Sequence, residues 1–129
     1  MKTNHKLALA AVVGAAMGVI GTGSIHARPA QSPAGYVIAE VDVTDPATFQ
    51  KYAEKVPGTI AQYNGHYVIR GGKMVSVEGD APKRFVVIQF ESVEKAKAWE
   101  DSPEYDAIKG IRHSSAKSRV FIAEGVAGQ

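Results

Sequence analysis

Trp99-Glu100-Asp101-Ser102-Pro103-Glu104-Tyr105, with Arg112 one helical stretch further on, is the part of this chain that decides the fold. Serine oxygens cap the free N–H groups at a helix start, and proline suits the first helical position, where no N–H is needed. Ser102-Pro103 therefore predicts that one helix ends near Asp101 and a new one begins. The break gathers two large aromatics and a cation where a chain can line a pocket. Working outward, Ser92 caps a helix over Val93 to Asp101, and Pro103 to about His113 forms the next helix. Arg84 to Glu91 before them, and Arg119 to Glu124 after them, read as strands because they are rich in β-branched and aromatic residues.

Toward the N-terminus, Tyr36 to Val43 is another strand, and Thr44-Asp45-Pro46 supplies a cap and an N1 proline. Phe49, Tyr52, Ala53, Val56, Ile60 and Tyr63 follow the spacing of one buried helical stripe. Pro57 lies inside it and predicts a kink or split near Lys55, since proline lacks an N–H and crowds the preceding turn. Asn64-Gly65 ends the helix, with glycine suited to the left-handed position after it. His66 to Arg70 is a second strand. Gly71-Gly72 bends it or turns it back, and Lys73 to Glu78 continues as strand, either as one bulged strand or as a hairpin.

Residues 1–27 read as a cleavable leader: Lys2, His5 and Lys6 form a basic start, Leu7 to Ile20 is uncharged and apolar, and Ser24-Ile25-His26-Ala27 offers a cut after Ala27. The apolar run is shorter than the roughly 20 residues of a membrane span. This predicts an exported protein, periplasmic or secreted, with no membrane attachment once the leader is gone. The alternative is a retained N-terminal anchor, with the apolar run stretching weakly to Ile25. Residues 28–35, with Pro29, Ser32, Pro33 and Gly35, form a flexible tether, and 36–126 form one domain. The chain has no cysteine, which excludes disulfides and a lipoprotein anchor. Removing Lys2 and Lys6 from the 15 basic residues leaves them equal in number to the 13 acids, so no basic face argues for nucleic acid.

Strand, helix, one or two strands, strand, helix pair, strand is the order of a ferredoxin-like split βαβ, an α+β sandwich with helices on one face of an antiparallel sheet. In the strand 84–91, Val86, Ile88 and Phe90 make one apolar face, yet Phe85 and Val87 sit on the other beside Gln89. The first strand sets Val37, Ala39 and Val41 against Tyr36 and Ile38. A sheet with one wet face alternates cleanly. This one does not, which predicts that a second copy covers the face away from the helices and that the protein is a homodimer.

With these segments placed, the chain resembles domain-of-unknown-function family 1330, in the dimeric α+β barrel superfamily. Val41-Asp42-Val43-Thr44-Asp45-Pro46, Val56-Pro57, Arg70-Gly71-Gly72, Glu78-Gly79-Asp80, Trp99, Ser102-Pro103-Glu104-Tyr105 and Arg112 carry the likeness. The resemblance implies a ferredoxin-like protomer pairing sheet to sheet into a barrel, with a cleft between sheet and helices, and it implies no reaction. Two positions depart from the family pattern: Ala53 stands where a cation usual to relatives follows Tyr52, and Lys117 stands before Ser118 where an acid is frequent.

Several residues are candidates for chemistry. Trp99 and Tyr105 can wall a ligand pocket, with Tyr52 on the facing helix and Arg84 and Arg112 as anchors for a carboxylate or enolate oxygen. Alternatively the aromatics only cap the core, and Arg112 pairs with Glu104 or Asp101. His66 is a candidate general base, and regular alternation would put it on one side of its strand with Arg70 as anion anchor. The bland reading is a solvated strand edge. Glu40, mid-strand among apolar residues, is either a buried base or half of an ion pair. Ser92-Val93-Glu94-Lys95 and Ser114-Ser115-Ala116-Lys117 match Ser-x-x-Lys by chance, lacking the companion motifs. Gly71-Gly72 precedes a strand and so lacks the helix terminus of a phosphate loop. His66 and His113 are the only histidines after the leader and show no ligand spacing, so no metal and no cofactor are expected. The functional expectation is binding of a small organic molecule in the cleft. The alternative is a cofactor-free isomerase or monooxygenase-type enzyme using His66, with Arg70 or Arg112 holding the anion.

Overall fold

The computed structural model describes residues 32–128. The leader, its cut point and the first half of the tether lie outside those residues. Strand β1 (Gly35–Val43) leads into helix α1 (Pro46–Gln62), then β2 (His66–Arg70), β3 (Arg84–Phe90), α2 (Val93–Glu100), α3 (Pro103–Ser115) and β4 (Ala116–Glu124). The strands pair antiparallel in the order β2-β3-β1-β4. This is the ferredoxin-like α+β arrangement that the element order predicts.

Local chemistry sets the helix starts where the sequence places them. Asp45 accepts from the Thr48 backbone N–H at 3.2 Å, Ser92 from that of Lys95 at 3.1 Å, and Ser102 from that of Tyr105 at 3.2 Å. Ser102 is itself buried and donates to the Trp99 carbonyl at 2.7 Å, so one hydroxyl closes α2 and opens α3. The backbone N–H groups of Thr44 and Asp45 donate to the Ser115 carbonyl, tying the end of α3 to the β1–α1 corner.

Registers divide the side chains between two faces. Val37, Ala39 and Val41 sit opposite Ile88, Val86 and Arg84 on β3 and opposite Ile122, Val120 and Ser118 on β4. Against this face the helices lay Phe49, Tyr52, Val56, Ile60, Trp99, Tyr105 and Ile108, and together they form the core. The other face carries Ile38 with Val87 and Phe121 as its strand neighbours, and Glu40 with Phe85 and Arg119. No helix among the described residues covers it, and Phe121 remains 43% exposed.

Three expectations are corrected. Of the kink or split expected at Pro57, the split does not occur: α1 is one helix from Pro46 to Gln62. The carbonyl that its missing N–H would have satisfied, that of Ala53, instead accepts a hydrogen bond from Arg70 Nη2 at 3.3 Å. At the end of α1, Asn64 rather than Gly65 takes the left-handed conformation (φ 57°). Gly65 is required for space: a Cβ there would lie 2.5 Å from the Phe90 ring and 2.8 Å from Ile60. Finally, Lys73 to Glu78 forms no strand, neither as a continuation of β2 nor as a hairpin arm. Gly71 (φ 60°) turns the chain off the ladder after its N–H bonds the Phe85 carbonyl, and Val75 and Val77 project into solvent. Strand propensity alone gives no strand where no neighbouring backbone is free to pair.

Candidate functional site: a cleft between sheet and helices

A cleft opens between the core face of the sheet and helices α1 and α3, with an interior volume of about 50 Å³. Its walls are mostly apolar, and Tyr52, Tyr105, Trp99, Arg70, Arg84 and Arg112 bring the polar groups. The break between α2 and α3 does what its sequence predicts. Trp99 stacks on Phe90 (centroids 5.5 Å apart) and lies 4.0 Å from the Tyr105 ring, while its indole N–H donates to Thr59 Oγ1 at 3.0 Å. It is both a core residue and a wall of the cleft.

Tyr52 and Tyr105 meet from opposing helices with their hydroxyls 2.7 Å apart. Burial, followed by the neighbouring Tyr105, pushes the Tyr52 hydroxyl well above the ordinary phenol value, and burial likewise raises Tyr67. Both phenols are therefore neutral hydrogen-bonding groups at physiological pH, unable to act as bases.

Three arginines converge on the lining. Arg112 is buried on α3, with one terminal nitrogen bonded to Ser118 Oγ and the other 3.4 Å from His113 Nε2. The alternative pairings with Glu104 or Asp101 do not form: Glu104 accepts from Tyr63, and Asp101 pairs with Lys97. Burial opposes the Arg112 charge, but the neighbouring Tyr105, Tyr52 and Glu100 outweigh it, so the pKa is raised and the guanidinium stays charged. Arg84 packs over Phe49, with its charged carbon 5.6 Å from the ring centroid. Arg70 lies over Tyr67 at 4.5 Å and reaches across the mouth to the Ala53 carbonyl. The buried Nε atoms of Arg84 and Arg112 have no partner among the described residues. Nor does the lining contain Asp, Glu, His or Lys among those residues.

The structure thus brings Tyr52, Arg70, Arg84, Trp99, Tyr105 and Arg112 together and leaves His66 out. The register slips between Tyr67 and Ile69, where Val68 bulges: His66 pairs with Gln89, but Arg70 pairs with Val86. Gln89 and Val86 point to opposite faces, so His66 and Arg70 do too. The expected base and anion anchor do not meet. Tyr67, which regular alternation assigns to the face away from Arg70, shares the cleft with it instead. Glu40 is no buried base either; it faces away from the helices and binds Arg119 at 2.8 Å.

Residues 34–126 match the family described as domain of unknown function (DUF1330). The chain belongs to this family. No curated protein matches it. Among solved structures, a Rhodopseudomonas palustris protein of unknown function is similar with a TM-score of 0.61 at 13% identity, over 75% of this chain and 85% of that one. A hypothetical Arabidopsis thaliana protein gives 0.53 at 18% identity, over 81% and 97%. SnoaB, a cofactor-independent oxygenase from Streptomyces nogalater, gives 0.52 at 15% identity, over 76% and 96%. These likenesses establish the fold, a ferredoxin-like α+β sandwich.

Proposed function

We propose that this DUF1330 chain is an exported protein, dimeric through the open face of its sheet, whose cleft binds a small organic acid. The observation that carries the reading is the imbalance of the lining: three arginines, two with unpartnered buried Nε atoms, and no acid within the lining itself, Glu100 standing outside it. Guanidinium groups on an apolar wall recognise carboxylates through paired hydrogen bonds and charge. An interior volume of about 50 Å³ suits a small acid better than a large ring system. Export is supported by the leader-like pattern of residues 1–27, a basic start followed by an uncharged apolar run. Pairing is supported by Ile38, Ile69, Val87 and Phe121 on a face that no helix among the described residues covers, and it is compatible with the dimeric α+β barrel neighbours.

Turnover as a cofactor-free isomerase or monooxygenase has weaker support. The likeness to SnoaB is one of fold, and the described lining offers no base to remove a proton.

The test is thermal unfolding with small carboxylic acids and their uncharged amides, since a ligand of the native state stabilises it by mass action. Acids are expected to raise the melting temperature, the amides to leave it unchanged, and Arg112→Gln to abolish the response. Equal responses to acids and amides, or none to either, would sink the reading. Sedimentation at micromolar concentration checks the dimer.

A further inference from the structure

We infer that residues 73–78 of one copy add as an extra strand to the free edge of β4 in a second copy. The inference rests on the pairing through the open sheet face proposed above and names the contact that closes its rim.

Both halves of the missing ladder are present in one protomer. β4 is an outer strand of the sheet, so one side of its backbone has no strand to pair with among the described residues. It runs nine residues, Ala116–Glu124, without proline, glycine or a slip in register, and Val120-Phe121-Ile122-Ala123 carries no charge. The other edge is guarded: β2 has only five residues and slips register between Tyr67 and Ile69. Short, bulged edges resist pairing, whereas a long regular one is a template for it. Residues 73–82 make no backbone hydrogen bond to any described residue, although Val75 and Val77 are strong strand formers. These two valines are 74% and 90% exposed. Polar backbone and apolar side chains both lack partners in this arm, and strand addition supplies them together.

Charge picks the direction and the register. In antiparallel pairing with Lys73 opposite Glu124, Glu78 falls opposite Arg119, so unlike charges meet at both ends. Arg119 already binds Glu40 at 2.8 Å, and its guanidinium has donors for a second carboxylate. Val75 then lies opposite Ile122 and Val77 opposite Val120, two residues that pack against the core. Parallel pairing over the same residues sets Lys73 against Arg119 and Glu78 against Glu124, which is repulsive at both ends. Sliding the antiparallel ladder by two residues keeps at most one charge pair. The receiving β4 belongs to another copy, because β3 and β1 separate β2, from which the arm leaves, from β4 of its own chain. A two-fold dimer makes the contact twice.

Sedimentation equilibrium of the purified full-length protein with a charge swap is the experiment. Lys73 and Glu124 are exposed in the protomer, so neither change threatens its fold. Lys73→Glu and Glu124→Lys are each expected to raise the dimer dissociation constant about tenfold, counting both copies of the contact. The double variant should return to within about twofold of the unaltered protein. The chain has no cysteine, which allows a second measurement. Met74→Cys with Ala123→Cys, opposite each other in this register, should oxidise to a covalent dimer, and Met74→Cys with Lys117→Cys should not. Single charge variants that dimerise like the unaltered protein, a swap that fails to restore, or cross-linking at 117 instead of 123 overturns the inference and leaves the pairing of open faces standing. A monomeric unaltered protein overturns both.

Discussion

The same four strands build two unlike surfaces. Toward the helices, Val37, Ile88 and Phe90 are almost fully buried beneath Trp99 and Tyr105, and the polar groups admitted among the described residues are tyrosines, arginines, the Trp99 indole N–H and the Thr59, Ser102 and Ser115 hydroxyls. On the opposite side Phe121 and Ile69 stay 43% and 39% exposed, with the Glu40–Arg119 ion pair lying among apolar neighbours. One face is finished within the chain. The other holds apolar area that no helix among the described residues hides, and the strand alternation that separates the two is what makes both readable.

The sharpest way to break this contrast is to damage each face in turn. Trp99→Ala removes a side chain 1% exposed that contacts both Phe90 and Tyr105, and a large aromatic lost from a core costs about 3–5 kcal/mol. Urea unfolding should show that loss at any protein concentration. Phe121→Asp should leave the protomer folded and cost about 2 kcal/mol only in association, as for a central interface aromatic. Its signature is a dimer that dissociates on dilution, seen by sedimentation. If Phe121→Asp unfolds the chain as severely as Trp99→Ala, the two faces are energetically alike and the contrast is wrong.

How much of this was legible beforehand depended on how far apart the interacting residues lie. Asp45-Pro46, Ser92 and Ser102-Pro103 declare helix starts because a cap and the N–H it satisfies are three residues apart. The face assignment of β1 and β3 was likewise readable from alternation. The bulge at Val68 was not, since it is a property of β2 against β3, and missing it put His66 beside Arg70 and left Tyr67 out of the cleft. Lys73 to Glu78 has strand-forming residues but no partner, and pairing is set by the whole sheet. The bond from Arg70 to the Ala53 carbonyl was hidden for the same reason, although Pro57 announced that this carbonyl would lack its usual partner.

That carbonyl links the core face to the mouth of the cleft. Proline inside a helix costs about 3 kcal/mol relative to alanine when nothing compensates. Here Arg70 supplies the lost donor, so Pro57→Ala is expected to gain less, about 1 kcal/mol, with the backbone N–H that the substitution restores competing for the Ala53 oxygen. Melting temperature should rise slightly, while Arg70, released from α1, should bind acids less well because it must be ordered anew. A stabilised variant with unchanged acid affinity would show that the bond does not position Arg70.

The smallest effect is a titration that only the helix side should show. Burial raises the Tyr52 pKa above the ordinary phenol value of 10.0. Below pH 10 the hydroxyl keeps its proton in both folded and unfolded chains, and its contribution to stability is fully present. Above it, the unfolded chain releases the proton while the folded one holds it. The unfolded state then binds fewer protons, and stability falls as pH rises, with a limiting slope of about 1.4 kcal/mol per pH unit for one such group. Denaturant unfolding between pH 9 and 11 should therefore show a shallower decline in Tyr52→Phe than in the unaltered protein, the difference between them cancelling the lysines common to both. Parallel declines would mean that water reaches Tyr52 freely, and that the covered face is more open than its packing implies.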